Sequence, residues 1–393
     1  MLVPLSNVPR DYAWGSREAI ARLQGRPAAS SPEAELWFGD HPGAPALVGD
    51  GSGRSLDAWI AQEGPAHGLS SPLPFLLKLL AAESPLSIQA HPTIAQAREG
   101  FAREERAGIP RDAPHRNYRD DNHKPEIIVA IEGDFEALAG FRPVEEIVGL
   151  LDALGVGDPA IAQLRQGLRS DRPDSAIAVF LGSVLAGEVA ASTELIAAAS
   201  TTQAPAFDDD LAALRRIESA HPGDPGVVVA LLMNRVVLHE GEALFVPAGI
   251  PHAYLRGLGV EIMAASDNVL RGGLTPKHVD VSELLEVLSF RPGRIPLLDP
   301  RTSESGIDVF APPVGDFALL RVRRIAAADE TSVPLDGPAI AVTTRGRVAV
   351  SGRAHRIELA PGQACLISPD EHELRIGGEG EVFLATPGGS VPA

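Results

Sequence analysis

Lysine, cysteine and long apolar runs are scarce or missing in this sequence. Only three of its 393 residues are lysines, so its 34 lysines and arginines include thirty-one arginines. A single cysteine, Cys365, excludes an internal disulfide and is typical of a reducing compartment. MLVPLSNVPRDYAWGS, the first segment, has no basic region followed by an apolar stretch, and no run of about 18 uncharged apolar residues occurs. The sequence therefore predicts a cytoplasmic protein with no signal peptide and no membrane partner.

Acidic residues outnumber basic ones, which gives a net charge of −18. Such a surface repels polyanions, and we expect no nucleic-acid partner. With 45% hydrophobic residues, the chain has enough apolar material for a large core, and its length favours about two or three domains. An anionic substrate would require a locally positive pocket.

The three lysines stand in segments that also carry other candidate site residues. Lys78 lies in PFLLKLL, Lys124 in NHKPEIIVAI and Lys277 in NVLRGGLTPKHVD. Lysine is a compact, rotatable ammonium suited to proton transfer and to point contacts with phosphate, whereas arginine serves the general charge of this chain. An accidental remainder of an arginine-rich composition is the alternative for each lysine separately. Their clustering favours a shared site.

Periodicity divides the chain into four stretches. The first 142 residues are mixed, with an amphipathic helix predicted near 93–107. Apolar spacing of three and four, with Asp-Pro starts and Gly stops, predicts a helical block over 144–221. Short apolar runs then give way to a turn-rich β pattern from about residue 235. The tail from about 300 to 390 alternates as strands do, with turns every 8–12 residues.

GEALFVPAGIPH, residues 241–252, fits the spacing G-x5-P-x-G-x2-H. This resembles the second motif of the cupin jelly-roll barrels, in which a strand ends at the proline, the glycine allows a tight turn and the histidine binds metal. The resemblance implies that His252 is a metal ligand. The family's later asparagine is Arg256 here, which is a departure from the motif. A histidine with no ligand role after a Pro-Gly turn is the alternative.

Two further segments place donor groups on one face of a strand. In SPLSIQAHP, residues Ser87, Gln89 and His91 alternate with apolar neighbours and share a face. In DDNHKPEIIVAI, the same period of two brings Lys124 and Glu126 together. An amide, an imidazole and a carboxylate are all metal donors, but a Gln-x-His pair also occurs by chance, and Glu126 alone also fits a solvated strand edge.

VEIMAASDNVLRGGLTPKHVD, residues 260–280, is unlike a core strand. Glu261 places a charge in an apolar run, and two glycines after Arg271 allow a ligand to approach the backbone closely. Arg271 and Lys277 then indicate recognition of an anion. A solvated loop arginine is the alternative.

Taken together, YAWGS, AELWFGDHP, PFLLKLL, SPLSIQAHP, DDNHKPE, ALAGFRP, the cupin motif and AASDNVLRGGLTPKHVD resemble the type I mannose-6-phosphate isomerase family over residues 3–285. The resemblance implies an aldose–ketose isomerase acting on a sugar phosphate through a cis-enediol, with one Zn²⁺ per chain. We expect a monomer, although the sequence leaves the oligomeric state open. The resemblance implies metal ligands at Gln89, His91, Glu126 and His252. It also implies active-site roles for Arg271, Lys78, Lys124 and Ser87.

The identity of the proton-transferring group stays open at this point. His123, Lys124, Asp267 and Arg271 all lie in segments from which a base or its helper can come. We interpret Glu261 and Lys277, with Ser87 and Lys78, as substrate-binding residues.

The fold predicted from these segments is mainly β with a helical insert. A cupin-type jelly-roll barrel formed by residues 1–143 and 222–294 would carry the active site, with an all-α block at 144–221 inserted in it. A second jelly-roll would follow at 295–393. PGQACLISPDEHE in this tail begins like a cupin motif, but Ser368, Asp370 and Glu373 replace the motif's Pro, Gly and His, and His372 is one residue out of register. We therefore expect no metal there.

Two alternatives of other classes remain. A cupin dioxygenase favours three histidines or a two-histidine-one-carboxylate set, which Gln89 fits poorly and which leaves the lysines without a task. A non-catalytic sugar-binding protein with two cupin domains explains the fold but not a complete ligand set beside Lys124 and Arg271. Turnover of a catechol or a β-diketone would favour the dioxygenase. Metal content combined with sugar-phosphate turnover would exclude the non-catalytic protein.

Overall fold

A computed structural model describes residues 1–189, 192–324 and 330–390 of the chain. The structure is mostly β-sheet. Most of its helices follow one another in a single stretch of the chain, and the others lie between strands. Within the described residues, no helix has both the length and the apolar character needed to cross a membrane.

The strands belong to two sheets, and each sheet contains short strands beside longer ones. They are β1 (Leu2–Ser6), β2 (Glu35–Phe38), β3 (Leu47–Val48), β4 (Phe75–Ala82), β5 (Gln89–Ala90), β6 (Glu126–Phe141), β7 (Met233–Leu238), β8 (Ala243–Val246), β9 (His252–Ala264), β10 (Leu270–Arg271), β11 (Arg301–Thr302), β12 (Ile307–Phe310), β13 (Ala318–Arg324), β14 (Thr331–Pro334), β15 (Ala339–Ser351), β16 (Arg356–Leu359), β17 (Ala364–Ile367) and β18 (Glu373–Thr386).

Most helices lie between β6 and β7. They are α1 (Ala19–Leu23), α2 (Leu56–Glu63), α3 (Ile94–Arg106), α4 (Val144–Leu154), α5 (Pro159–Leu168), α6 (Pro173–Leu185), α7 (Ser192–Thr201), α8 (Asp208–Ala220), α9 (Gly226–Leu232) and α10 (Val281–Val287).

An eight-stranded sheet joins the two stretches of chain that flank the helical block. Its strands follow the order β10-β5-β9-β4-β2, and β6 pairs with β7, β8 and β9. The antiparallel pairing of β6 with β9 places Glu126 opposite Met263, and the pairing of β5 with β9 places Gln89 opposite His252. Candidate ligands more than 120 residues apart in sequence thus meet in one sheet.

The second sheet has ten strands and contains a segment that the sequence assigned elsewhere. β11 to β18 supply most of it, but β1 pairs with β17, Leu2 opposite Ile367, and β3 pairs with β1. The first strand of the chain is therefore part of the C-terminal sheet and not of the sheet that carries the candidate ligands. Pairing between the two ends of the chain leaves no local signal, which is why the sequence pattern did not predict it.

A common core joins the two sheets. Phe38 and Phe75 from the first sheet lie in one buried cluster with Phe310 and Phe383 from the second, and each of these rings is at most 1% exposed. Burial of such a side chain contributes about 1.5–3 kcal/mol. The two sheets therefore stabilise each other through a shared apolar interface.

Helices α4 to α8 fall within the stretch predicted to be helical, and α3 matches the helix predicted near 93–107. Thr93 begins α3 with a capping box, since its hydroxyl accepts from the Gln96 amide at 3.3 Å and the Gln96 side chain accepts from the Thr93 amide at 2.9 Å. Helix α9 was not predicted. Its valine run has low helix propensity, but every residue of α9 is buried, and tertiary burial overrides that propensity.

Candidate metal centre and substrate cleft

Two imidazoles and one carboxylate converge at the sheet junction formed by β5, β6 and β9. Nε2 of His91 lies 3.4 Å from one oxygen of Glu126, and Nε2 of His252 lies 3.3 Å from the other. All three side chains are buried, at 0%, 3% and 3% exposure, and their donor atoms lie within 4.8 Å of one another. This spacing suits a single bound cation.

Hydrogen bonds at the outer side of each ring fix its orientation. Nδ1 of His91 donates to the Asn268 carbonyl at 2.8 Å, and Nδ1 of His252 donates to the Ile250 carbonyl at 3.0 Å. Each Nδ1 is therefore occupied by a carbonyl, and each Nε2 faces the carboxylate. Nε2 of His91 is fully buried and has no hydrogen-bond partner among the residues that the structure describes.

A bound cation would satisfy both the His91 nitrogen and the Glu126 carboxylate that faces it. Burial lowers the pKa of His91 to about 4, so its ring is neutral near pH 7. Burial alone would raise the pKa of Glu126, but the Lys124 ammonium at 2.9 Å and both imidazoles hold it well below its ordinary value. Imidazole nitrogens and an ionised carboxylate are a donor set that zinc accepts.

Gln89 lies beside this group. It pairs with His252 and with Arg271 across the sheet, and its amide nitrogen donates to the Ser87 hydroxyl at 3.4 Å. Gln89 also lines a small cavity of about 40 Å³ together with Glu126 and His252. Its position is compatible with a fourth ligand, and that role stays a prediction.

A cleft of about 620 Å³ opens next to the small cavity, and six residues line both. Every lysine of the chain, Lys78, Lys124 and Lys277, lines this cleft. The clustering in the sequence therefore corresponds to a cluster in space. Other residues predicted from the sequence that also line it are Ser87, Gln89, Asp267 and Arg271.

Positive charge accumulates at one wall of the cleft. Burial and then the neighbouring Arg119 lower the pKa of Arg271, and burial followed by Arg271 and Arg119 lowers the pKa of Lys277. Within the described part of the chain, none of these three side chains forms a salt bridge. A bound anion would relieve their mutual repulsion.

A buried chain of charges also borders the two cavities. The Lys78 ammonium contacts Glu261 at 2.8 Å and Glu35 at 3.8 Å, and it lies 5.2 Å from the ring centre of Trp37. Burial alone would lower the pKa of Lys78, but these two carboxylates raise it above its ordinary value. Burial raises the pKa of Glu261.

One predicted residue is not brought to the site. Nε2 of His123 lies 2.9 Å from Asp316, a residue of the segment between β12 and β13, and His123 is not among the residues that line either cavity. Although His123 adjoins Lys124 in sequence, it contacts Asp316 whereas Lys124 contacts Glu126, and this position argues against the predicted catalytic role of His123. Asp267 does line the cleft, where it contacts Nε2 of His41 at 3.4 Å.

Sequence reasoning missed Arg119, Glu35 and Tyr254. Tyr254 is 4% exposed, its hydroxyl has no hydrogen-bond partner within the described ranges, and burial raises its pKa well above the ordinary value. It stands two residues after His252 on β9, so the same period of two that linked Lys124 to Glu126 would have found it. Arg119 had no comparable signal, because it lies in an irregular loop.

The chain is similar in sequence to a known protein family and to individual enzymes. Residues 2–144 match the family described as phosphomannose isomerase type I, catalytic domain. The chain is 36% identical over 388 residues to the mannose-6-phosphate isomerase of Salmonella typhimurium, covering 96% of this chain and 97% of that protein. It is 34% identical over 389 residues to the human mannose-6-phosphate isomerase, covering 88% of each.

A solved structure extends the likeness to three dimensions. The Salmonella typhimurium mannose 6-phosphate isomerase, bound to substrate and to zinc, superposes with a TM-score of 0.88 at 34% identity. The match covers 98% of this chain and 99% of that one, so it includes both sheets and the helical block.

Proposed function

The chain belongs to the type I mannose-6-phosphate isomerase family, and we propose that it interconverts mannose 6-phosphate and fructose 6-phosphate as a zinc-dependent aldose–ketose isomerase. The observation that carries this proposal is the buried His91–Glu126–His252 group beside a cleft with an unpaired cationic wall. A sugar phosphate needs both a cation near its reacting oxygens and a positive site for its phosphate.

Zinc, one per chain, would be held by Gln89, His91, Glu126 and His252. Bound there, zinc supplies a Lewis acid that stabilises negative charge on substrate oxygens. The orphaned Nε2 of His91 supports this assignment, since a buried nitrogen acceptor without a partner costs free energy unless a cation or a donor meets it.

The phosphate group would bind at the cationic wall. Arg119, Arg271 and Lys277 offer five, five and three N–H donors, and none of them forms a salt bridge with a carboxylate among the described residues. The local positive charge offsets the overall −18 and attracts the anionic substrate into the cleft.

Proton transfer between C1 and C2 of the sugar requires a base whose pKa is near the working pH. Arg271 cannot serve, because a guanidinium does not lose its proton at neutral pH. Asp267 is a weak base: burial would raise its pKa, but the His41 contact and nearby cations hold it below the ordinary value. Burial raises the pKa of Glu261, and this carboxylate lines the cavity shared with Glu126 and His252. Glu261 is therefore the better matched base, held in place by Lys78.

Lys124 would stabilise the enediolate that forms as the proton leaves carbon, and the kinetics of Arg271 variants decide whether Arg271 stabilises the enediolate or grips the phosphate. Lys124 already contacts Glu126 at 2.9 Å, which keeps its ammonium next to the metal group. Ser87 and Lys277 would orient the substrate from two sides of the cleft.

The architecture is proposed at the level of domains as well. The eight-stranded sheet would form a cupin jelly-roll that carries the site, residues 144–221 a helical insert in it, and the residues after 294 a second jelly-roll without metal. The joining of both flanking stretches in one sheet supports the first part. A monomeric state and a cytoplasmic location remain predictions.

A coupled assay tests the function directly. We expect the zinc-loaded protein to convert mannose 6-phosphate to fructose 6-phosphate, to lose activity after dialysis against a chelator, and to regain it with added Zn²⁺. Absence of turnover by zinc-loaded protein would contradict the proposal. Family membership and the cationic wall favour the isomerase over a dioxygenase or a non-catalytic sugar-binding protein.

Isotope exchange tests the assignment of the base. In D₂O, the wild-type enzyme should place deuterium on the sugar carbons, and Glu261→Gln should lose this exchange while Asp267→Asn retains most of it. The reverse result would transfer the role to Asp267.

A further inference from the structure

The turn that leaves the helical block fixes the position of the cationic wall, although it contributes no charge to it. From its geometry we infer that Asp224 is a positioning residue for the cationic loop, defined as residues 271–277. This inference rests on the proposed function, since it assigns the loop to the phosphate of the substrate.

Asp224 binds the cationic loop through backbone amides only. One carboxylate oxygen accepts from the Leu274 amide at 2.8 Å and from the Gly226 amide at 2.7 Å, and the other accepts from the Thr275 amide at 3.1 Å. Three amide donors on one carboxylate make charge-assisted hydrogen bonds, which are about twice as strong as neutral ones. The loop is thereby tied to the end of the helical block.

The backbone of the cationic loop is held in an unfavourable conformation at the point of contact. Leu274 has a φ of +56°, which L-residues other than glycine rarely adopt, and Gly273 has a φ of +108°. Glycine adopts a positive φ readily, but a residue with a side chain, such as Leu274, keeps this conformation only where surrounding contacts enforce it. The amide of Leu274 is one of those that Asp224 accepts from.

Two glycines allow the turn and the loop to touch. A Cβ on Gly226 would lie 2.5 Å from the Leu274 nitrogen, and a Cβ on Gly273 would lie 2.5 Å from the Gly226 Cα. Any side chain at either position would force the segments apart. Both positions therefore require glycine, because only a residue without a side chain lets the turn and the loop approach this closely.

The cationic loop is itself hydrogen-bonded to the segment that carries Ser87 and Gln89, so it adjoins the metal group as well as the cationic wall. The Gly272 amide donates to the Ile88 carbonyl at 2.8 Å, and the Ile88 amide donates to the Gly273 carbonyl at 3.1 Å. Arg271 pairs with Gln89 in the adjoining strands. On the other side, Nε2 of His221 donates to the Pro85 carbonyl at 3.1 Å, so the same turn also braces the segment that carries Ser87 and Gln89.

Asp224 therefore acts through Arg271 and Lys277 and does not touch substrate. It is absent from the residues that line the cleft, whereas Leu274 and Thr275, whose amides it accepts from, line it. Removal of the carboxylate should loosen the loop and weaken phosphate binding without changing the metal group.

Asp224→Ala tests this with Asp158→Ala as a matched control. Asp158 lies in the helical block and likewise accepts from a backbone amide, that of Ala160 at 2.7 Å, but it is remote from the cleft. We expect Asp224→Ala to raise both the dissociation constant of inorganic phosphate, measured by titration calorimetry, and the KM for mannose 6-phosphate on the order of tenfold. Zinc content should stay at one per chain. Asp158→Ala should leave phosphate affinity within about twofold of wild type, which is less than about 0.4 kcal/mol.

Two further variants keep the inference testable if Asp224→Ala does not fold. Asp224→Asn preserves the shape but removes the charge, and it should weaken phosphate binding less than alanine does. Gly226→Ala alters no charged or polar side chain and improves intrinsic helix propensity at the start of α9, yet it should weaken phosphate binding by separating turn and loop.

Wild-type phosphate affinity in the Asp224 and Gly226 variants, or an equal loss in Asp158→Ala, would overturn the inference. Absence of phosphate binding by the wild-type protein would also overturn it. If the wild-type chain binds phosphate but does not turn over mannose 6-phosphate, the proposed function fails, and the calorimetric comparison still decides the role of Asp224.

Discussion

Replacement of Glu126 by glutamine separates metal binding from folding more sharply than other changes at this site. Among the three converging groups, Glu126 is the only one that carries negative charge, and glutamine has nearly the same shape. The variant keeps two imidazoles and an amide oxygen but leaves Lys124 without its partner at 2.9 Å. A cation in the group then meets an unpaired ammonium instead of a carboxylate.

The structure sets the scale of the effect. The donor atoms lie within 4.8 Å of one another, so a cation held by all three is closer than that to the carboxylate. At this distance and an effective dielectric constant of about 20, unit charges attract by roughly 3 kcal/mol. Loss of that attraction alone lowers zinc affinity on the order of a hundredfold or more.

Glu261→Gln is the matched control for this change. Glu261 is 2% exposed, contacts a lysine at 2.8 Å and lines the same small cavity, but it is not part of the His–Glu–His group. Zinc affinity measured by chelator competition should fall in Glu126→Gln and stay near the wild-type value in Glu261→Gln. Retention of wild-type zinc affinity by Glu126→Gln would refute the assignment of this carboxylate as the ligand that carries the charge.

Two further predictions concern Arg271 and Glu136. Arg271→Ala should lower kcat by about 10²-fold with zinc content unchanged, and Arg271→Lys should recover only part of it because the planar fork is lost; an unchanged kcat with a raised KM would make Arg271 a uniform binder. Burial would raise the pKa of Glu136, but Arg235, Arg216 and Arg256 hold it below its ordinary value, so its stabilisation is present above about pH 4.5 and is lost as the pH falls further. Glu136→Gln should therefore cost about 3 kcal/mol in urea unfolding at pH 7, and the difference from wild type should shrink below pH 4.5; a difference that grows on acidification would contradict this.

Local spacing was sufficient to predict much of the candidate site. The period of two placed Gln89 and His91 on one face of IQAHP and Lys124 and Glu126 on one face of HKPEI, and the family resemblance implied that the two segments meet. In the structure, His91 lies 3.4 Å from Glu126, and Lys124 lies 2.9 Å from Glu126. Gln89 and Ser87 also lie at the cleft, although β5 is only two residues long. The side chains alternate there because the extended backbone continues beyond the hydrogen-bonded pairs.

Long-range pairing was not predictable from the sequence pattern. β1 is joined to β17 across more than 350 residues, and no turn chemistry or alternation indicates which of the many apolar strands it will meet. Arg119 reaches the cleft from a loop without periodicity. The valines of α9 were described from the sequence only as a short apolar run, because β-branched residues favour strands and give no local signal for the buried helix that they form.

Arg256, the departure from the cupin motif, has a structural explanation. Its guanidinium donates to Glu136 at 2.9 Å, and Arg216 of α8 contacts the same buried carboxylate at 2.6 Å. The helical block is thus joined to the eight-stranded sheet at α8 by this ion cluster and at its exit turn by Asp224. Its apolar core also contains Ile88 and Ala253, the neighbours of Gln89 and His252. Removal of the block would expose the residues that flank two candidate ligands. Residues 144–221 are therefore distinct in sequence pattern, but their packing is part of what stabilises the candidate site.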